Sequence, residues 1–259
     1  MRIAILYICI GKYIKFFNQF YKSCEEFFLP NIKKHYFLFT DNINISTTYN
    51  QSIIFQEDMG WPGNTLFRFK FFQKCKSELE QYDYIFFFNG NTQFLQAIFP
   101  EEIIPNKEES YLTGLSWSHI YKNNLLFPYD RNQLSKAYIP IGKGKYYFQG
   151  GLIGGRNLEF LTLLDELSKN IDDDFSKSII AVNHDESHLN HFFLNKNIKV
   201  LNAQYGRPEE HAFPTNPKII FRDKNKVLGK KFINTIKKRT IYDRIIKKIQ
   251  FFIKNHIAQ

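Results

Sequence analysis

Apolar runs and helically spaced apolar residues alternate through the first ninety positions of the chain. Arg2 to Tyr7 is almost wholly apolar and predicts a central strand, with Ile8 to Tyr13 as its exit loop. Phe16 to Phe28 has helical spacing. His35 to Thr40 predicts a second buried strand ending at Asp41, and Ser52 to Phe55 a third. Leu66 to Leu79 returns to helical spacing, with Asn64 placed to cap it. Tyr82 to Phe88 is a strand that runs straight into Asn89-Gly90-Asn91. This alternation argues for an α/β fold with a mainly parallel central sheet flanked by helices. In such sheets ligands sit beyond the carboxyl ends of the strands, where these loops emerge.

From Tyr111 to Pro140 the pattern is irregular and rich in aromatics, Asn and Pro, as expected of an excursion forming one wall of a cleft. Lys145 to Ile153 predicts a strand with Gly150-Gly151 inside it, closed by Gly154-Gly155. Paired glycines within a strand mark a bulge or the close approach of another backbone or a ligand. Leu158 to Leu167 reads as a helix and Leu189 to Leu194 as the buried face of a short one. Ile198 to Leu201 and Lys218 to Phe221 read as strands. At Lys224 the pattern changes. Ile241, Ile245, Ile249 and Phe252 share one helical face, with Arg244, Lys247, Lys248 and Lys254 opposite. The chain therefore divides into a single domain, 1–223, and a basic C-terminal segment with an amphipathic helix, 224–259.

Charge sharpens that division. Residues 1–223 hold 24 Lys/Arg and 24 Asp/Glu, whereas residues 224–259 hold 11 Lys/Arg against Asp243 alone, a difference that accounts for the whole net charge of +10. A basic amphipathic helix suits an anionic membrane surface; the alternative is a helix docked on its own domain with a solvated basic face. A neutral body without a recognition motif argues against nucleic acid as a partner. At 259 residues and 44% hydrophobic, the chain can bury a full core. Cys9, Cys24 and Cys75 have no paired spacing, which fits a reduced, cytoplasmic compartment. The apolar run Ile3 to Ile10 is short for a signal peptide, and no stretch reaches the roughly 18 to 20 apolar residues of a spanning helix. The expected location is cytoplasmic, peripheral at the inner face of the cytoplasmic membrane.

The densest chemistry lies in His184-Asp185-Glu186-Ser187-His188-Leu189-Asn190. Two adjacent carboxylates at a helix entrance sit near the positive end of its dipole, where an ionised Glu can face a developing positive charge. A plainer reading makes Asp185 a cap, Glu186 a first-turn acid and the histidines surface residues. Two constellations compete for a function. His184, His188 and His191 at i, i+4 and i+7 could bind zinc, although the hydrolase signature wants Glu directly after the first His and Asp185 stands there. Alternatively, the strand end at Asn89-Gly90-Asn91 faces the Asp185-Glu186 pair across the ligand edge of the sheet. Many nucleotide-sugar transferases hold a divalent cation with acid-x-acid at such a strand end. Neutral amides are poor ligands for a hard cation, so a metal there is expected to be weakly held or absent.

The 184–190 stretch, Ala137-Tyr138-Ile139-Pro140, and Tyr146-Tyr147 leading to Gly150-Gly151 and Gly154-Gly155 together resemble glycosyltransferase family six, which includes the blood-group A and B transferases and the alpha-1,3-galactosyltransferase. Ile8 to Tyr13, Trp61 to Arg68 and Phe39-Thr40-Asp41 agree more loosely. Bacterial members are most similar, sharing Asn-x-Asn and a segment like Arg222 to Lys226. The resemblance implies a GT-A-type fold and retaining transfer from a UDP-sugar to a galactoside. It implies that Ile8, Ile10 and Tyr13 contact the uridine, Arg68 stands beside the donor sugar, and Asn89 and Asn91 approach ribose and diphosphate. It puts Asp185 on the sugar hydroxyls and Glu186 on the beta face of the anomeric carbon, as nucleophile or as stabiliser of an oxocarbenium-like state.

With neutral residues at the strand end, no metal or other cofactor is expected. Lys224 and Lys226, with Arg222, are then the candidates to neutralise the departing UDP. Small residues at Gln149-Gly150-Gly151 leave room for an N-acetyl group in this family and favour UDP-GalNAc. The acceptor side departs most from the family pattern, at Trp117 and His119, at Leu126 to Asn132, and at Asn183, where the family has Trp. With His184, Trp117, His119 and Asn183 are the candidate acceptor contacts. The expected activity is alpha-1,3 transfer of GalNAc to a fucosylated galactose on a lipid-borne surface glycan. The rivals are a galactosyltransferase of the same family, a non-catalytic sugar- or nucleotide-binding module, and a metal hydrolase.

Overall fold

The computed structural model describes residues 1–45 and 49–230. Its strands are β1 (Ile3–Ile8), β2 (Lys34–Thr40), β3 (Gln51–Phe55), β4 (Tyr84–Phe88), β5 (Thr92–Phe94), β6 (Leu112–Ser116), β7 (Phe148–Arg156), β8 (Lys199–Leu201), β9 (Arg207–Pro208) and β10 (Ile219–Phe221). The central sheet has the order β3-β2-β1-β4-β7-β6-β8, and β5, β10 and β9 form a second, smaller sheet. Within the central sheet β7 runs antiparallel to both its neighbours, β4 and β6, while the remaining pairs are parallel. This is the mixed, mainly parallel GT-A-type arrangement expected.

Both faces of the sheet are covered, which is why its strands read as continuous apolar runs. Side chains alternate between the faces. Ala4 and Leu6 of β1 with Ile85 and Phe87 of β4 face one core; Ile3, Ile5 and Tyr7 with Phe86 and Phe88 face the other. The second core is closed by α1 (Ile14–Phe27), whose Phe16, Phe17, Phe20, Ser23 and Cys24 form a buried helical stripe. The first is closed by α6 (Asn157–Ser176), α7 (Asp185–Phe193) and the helical stretch after β3.

That stretch departs from expectation. In place of one helix from Leu66 there are α2 (Gly60–Leu66), α3 (Arg68–Phe72), a 3₁₀ turn and α4 (Lys76–Leu79). Asn64 lies within α2, where its side chain accepts from Met59 N at 2.9 Å and donates to Asp58 at 2.6 Å. It fastens a bend rather than capping a helix at Leu66.

Two further corrections concern the middle of the chain. Leu112–Ser116, inside the irregular stretch, is a strand of the central sheet. Gly154 and Gly155 continue β7 rather than closing it. A Cβ on Gly154 would lie 2.1 Å from the Phe86 ring, and one on Gly155 2.8 Å from Leu112, so close packing excludes side chains there. The bulge expected at Gly150-Gly151 is present: Gly114 pairs with Ile153 but Leu115 with Gln149, leaving Gly150 to Leu152 out of register with β6. Residues 117–147 then form the excursion, around a small core of Phe127, Tyr129, Ile139 and Tyr147. The short α5 (Pro100–Ile103) bridges β5 and β6.

The basic segment begins as α8 (Lys224–Leu228), which buries Leu228 against the domain. The fold thus continues past residue 223. The amphipathic helix expected over Ile241 to Phe252 lies outside the described residues, and among the described residues no helix is long and apolar enough to cross a membrane.

Candidate active site

β1 and β4 are neighbours in the sheet, so the loops at their carboxyl ends lie side by side. The β1 loop is fixed by Cys9 N donating to Phe39 O at 2.9 Å and Gly11 N to the Asp41 carboxylate at 2.9 Å. Gly11 takes φ +58°, which a glycine adopts without strain. The β4 loop is fixed by Tyr7 OH donating to Gly90 O at 2.5 Å and Asn89 N to Gly151 O at 2.9 Å. Between them opens a pocket of about 380 Å³ lined by Ile8, Ile10, Tyr13, Arg68, Asn89, Asn91 and Lys224, with Trp61 and Thr65 on the far wall. Ile8, Ile10, Tyr13, Trp61 and Phe87 give it apolar surface, and Lys12, Asp58, Arg68, Asn89, Asn91 and Lys224 polar groups, a lining that suits a flat heteroaromatic group with polar substituents. Lys224 Nζ stands 5.5 Å from the Tyr13 ring centre, at the rim.

A second pocket of about 310 Å³ shares Trp61, Thr65, Arg68 and Asn89 with the first and adds Gln149, Gly150, Asn183, His184, Asp185 and Glu186. Asp185 and Glu186 form the first turn of α7, near the positive end of its dipole. His184 precedes them at φ 53°, a sparsely populated conformation for a side chain of its size, and its ring meets Trp61 edge-on at 4.8 Å.

The two carboxylates are held differently. Glu186 Oε2 accepts from Gly150 N at 2.7 Å, and Oε1 accepts from Tyr147 OH. Burial pushes the Glu186 carboxyl up, while Tyr147, Gly150 N–H and Arg68 oppose the shift. Tyr147 OH in turn accepts from Asn183 Nδ2 at 2.9 Å, and the same amide donates to Pro128 O at 2.9 Å. Asp185 is 1% exposed, with Arg68 Nε 2.8 Å from its Oδ2 and the backbone N–H groups of Asp185 and Glu186 also favouring its charged form. Burial pushes its carboxyl up to about 7, against the pull of Arg68. Arg68 itself is oriented by donating to Gly150 O at 2.5 Å and lies over the Phe87 ring. The arrangement is a buried carboxylate pair with one guanidinium, beside a pocket ending in an ammonium. It can stabilise positive charge at one end of a bond and negative charge at the other.

The structure thus brings together Ile8, Ile10, Tyr13, Arg68, Asn89, Asn91, Gln149, Gly150, Asn183, His184, Asp185, Glu186 and Lys224. Gly151 adjoins them, its Cβ position closed by Gln149 and Asn89 at 2.6 and 2.8 Å. Three residues are not brought in. Trp117 donates to Gly206 O at 2.9 Å and packs on Phe221; His119 lies near Phe213; Lys226 pairs with Glu209 at 2.9 Å. Neither pocket includes them. Arg222 is likewise engaged with Glu209, at 3.3 Å.

The histidine cluster also disperses. His188 is buried with Nε2 3.7 Å from Asp174, away from His184 on Trp61, and no metal-binding group of three converges among the described residues. His188 is therefore an interior residue rather than the surface histidine of the plainer reading. Sequence reasoning assigned no role to Tyr147, Trp61 or Thr65. Tyr147 directly precedes β7, so no strand alternation pointed it toward Glu186.

Comparison with known proteins accords with this geometry. A family model described as Glycosyltransferase family 6 matches residues 1–231. The O-antigen biosynthesis glycosyltransferase WbnI of Escherichia coli is 37% identical over 231 residues, covering 87% of this chain and 96% of that protein. Globoside alpha-1,3-N-acetylgalactosaminyltransferase 1 of Mus musculus is 28% identical over 85% of this chain and 65% of its own length. Histo-blood group ABO system transferase 1 of Rattus norvegicus is 27% identical over 78% of this chain and 60% of its own. A match across the whole catalytic body, on a fold whose loops converge on the Asp185-Glu186 pair, places the chain in glycosyltransferase family 6.

Proposed function

We propose that the chain is a retaining hexosyltransferase that moves GalNAc from UDP-GalNAc, in alpha-1,3 linkage, to a fucosylated galactose of a surface glycan without a divalent metal. The observation that supports donor-sugar binding most directly is Asp185. A carboxylate that lines the pocket beside Arg68 keeps acceptor capacity for a ligand's hydroxyl groups. The uridine stacks against Tyr13 between Ile8 and Ile10, the diphosphate passes Asn89 toward Lys224, and the sugar lies over Gly150 with its anomeric carbon toward Glu186.

As the anomeric C–O bond breaks, the electron pair leaves with UDP and the sugar becomes cationic. Glu186, whose charged form Tyr147 and the Gly150 amide favour against burial, answers that charge by covalent capture or as an ion-paired stabiliser. A divalent cation asks for charged oxygen ligands. Asn89 and Asn91 offer amides, and the Asn91 amide already donates to Arg222 O at 2.8 Å. Lys224, which lines the pocket with Lys12 and lies near the Tyr13 ring, is placed to receive the phosphate charge.

The relatives support the finer assignments. One is named for alpha-1,3 transfer of GalNAc and another for O-antigen biosynthesis. A Cβ on Gly150 would touch Asp185 and Glu186 at 3.4 and 3.5 Å, so its absence leaves the carboxylates open to a bulky sugar substituent. UDP-galactose is the second reading, favoured by Gln149, which fills the space beside Gly151. Competition between labelled UDP-GalNAc and UDP-galactose on fucosylated and plain galactosides tests both. GalNAc transfer that survives a strong chelator and falls about a hundredfold in Lys224→Ala is expected. Dependence on added manganese would defeat the metal-free reading, and preferential galactose transfer the donor assignment.

A further inference from the structure

We propose that Asn91 is a positioning residue whose side-chain amide latches the 222–228 segment across the end of β4, braced by Glu209, and so holds Lys224 at the pocket rim, an inference that rests on reading Lys224 as the cation for the diphosphate. Phe221 of β10 pairs with Thr92 of β5, and the next residues continue that pairing by a different bond set. Arg222 N donates to Asn91 O at 2.7 Å, and Asn91 Nδ2 returns a bond to Arg222 O at 2.8 Å. Asn91 is 6% exposed, so neither bond competes freely with water.

Beyond Arg222 the chain turns away and Glu209 takes over. Its Oε2 accepts from Asp223 N at 2.7 Å and from Arg222 Nε at 3.3 Å, and its Oε1 from Lys226 Nζ at 2.9 Å. Burial alone would raise this carboxyl, yet Asp223 N–H, Lys226 and Arg222 hold it at about 2. Asp223 then caps α8, accepting from Asn225 N at 2.8 Å. Lys226 is thereby spent on the brace, and Lys224, the first residue of the helix, turns to Tyr13 and the pocket.

The latch gives a physical reason for an amide at 91. An aspartate has no N–H to offer, and its charge would face the Arg222 carbonyl. Restoring a carboxylate for a metal would therefore undo the mount of the lysine that stands in for it.

Amide hydrogen exchange of the intact protein, with UDP titrations, tests this. In Asn91→Asp, peptides within 222–228 are expected to exchange about tenfold faster, and UDP to bind about tenfold more weakly, the scale of one buried hydrogen bond. Peptides from β1 and β4 should keep their protection, and manganese should not restore binding. Glu209→Gln, at a partly exposed site, should loosen the same peptides less. If protection is lost throughout Asn91→Asp, the Glu209→Gln result decides. Wild-type exchange over 222–228 in Asn91→Asp and Glu209→Gln, or manganese rescue, would overturn the latch. Faster exchange with UDP affinity unchanged there and in Lys224→Ala would keep the latch and overturn the diphosphate reading instead.

Discussion

Glu186 has a demanding position: the proposed role needs its charged form, while burial pushes its carboxyl up. Desolvation favours its neutral form, and Tyr147 OH, Gly150 N–H and Arg68 favour the charged one. Tyr147 is itself kept neutral by burial and by the carboxylate it faces, which makes it a donor across the physiological range. Tyr147→Phe removes one bond to the charged form at almost constant shape. The Glu186 pKa then rises, so the acid limb of kcat/KM is expected to move to higher pH by about one unit, the equivalent of roughly 1.4 kcal/mol. A fall in activity with an unmoved limb would make Tyr147 a packing residue only. Asp185, at about 7, adds to the same limb, because a neutral carboxylic acid pairs poorly with Arg68. The pair was legible because two acids stand side by side in one short stretch. The tyrosine was not, because its bond to Oε1 joins the residue before β7 to the first turn of α7, 39 positions on.

Elements were legible where one residue pattern dominated. β1, β2 and β4 are apolar on both faces and have no competing reading, and α1 shows one clean stripe. The stretch from Gly60 to Leu79 kept helical spacing while the backbone broke repeatedly, and its first bend is held by a local bond from Asn64 to Asp58. β6 escaped notice because Leu112 to Ser116 interrupts its apolar residues with Thr113, Gly114 and Ser116. That glycine is a packing necessity: a Cβ there would lie 2.9 Å from the Phe193 ring of α7. α7 also carries His188 and His191, two of the three histidines that the metal reading used. Burial lowers the His188 pKa to about 4. Asp174 and Asp130 oppose that shift, and His191 adds to it. Because the folded value lies below the unfolded one of 6.5, the contribution is present above pH 6.5 and lost as pH falls toward 4. Relative to His188→Gln, wild-type stability by denaturant titration should decline by about 2 kcal/mol between pH 7 and pH 5. A constant difference would mean that His188 titrates normally.

At the scale of the molecule, the contrast is between a neutral body and a basic end. Residues 1–223 balance at 24 charges of each sign, and all the excess lies beyond them. Part of that excess is built into the domain: Lys224 faces the pocket and Lys226 faces Glu209. The family match ends at residue 231, so the charges further on lie outside the shared catalytic body. Residues 240–259 add Arg244, Lys247, Lys248 and Lys254 against Asp243, interleaved with Ile241, Ile245, Ile249 and Phe252. Each basic residue near an anionic surface is worth about 1 kcal/mol, to which buried apolar side chains add. Deleting residues 240–259 should therefore release the protein from vesicles containing anionic lipid in a sedimentation assay. Turnover of a soluble acceptor should be unchanged, since among the described residues the two pockets draw on nothing past Lys224. Binding of the wild type should weaken at high salt but not vanish, because the apolar face is not screened. Equal sedimentation of the two forms would remove the membrane role, and loss of turnover would make those residues part of the catalytic fold.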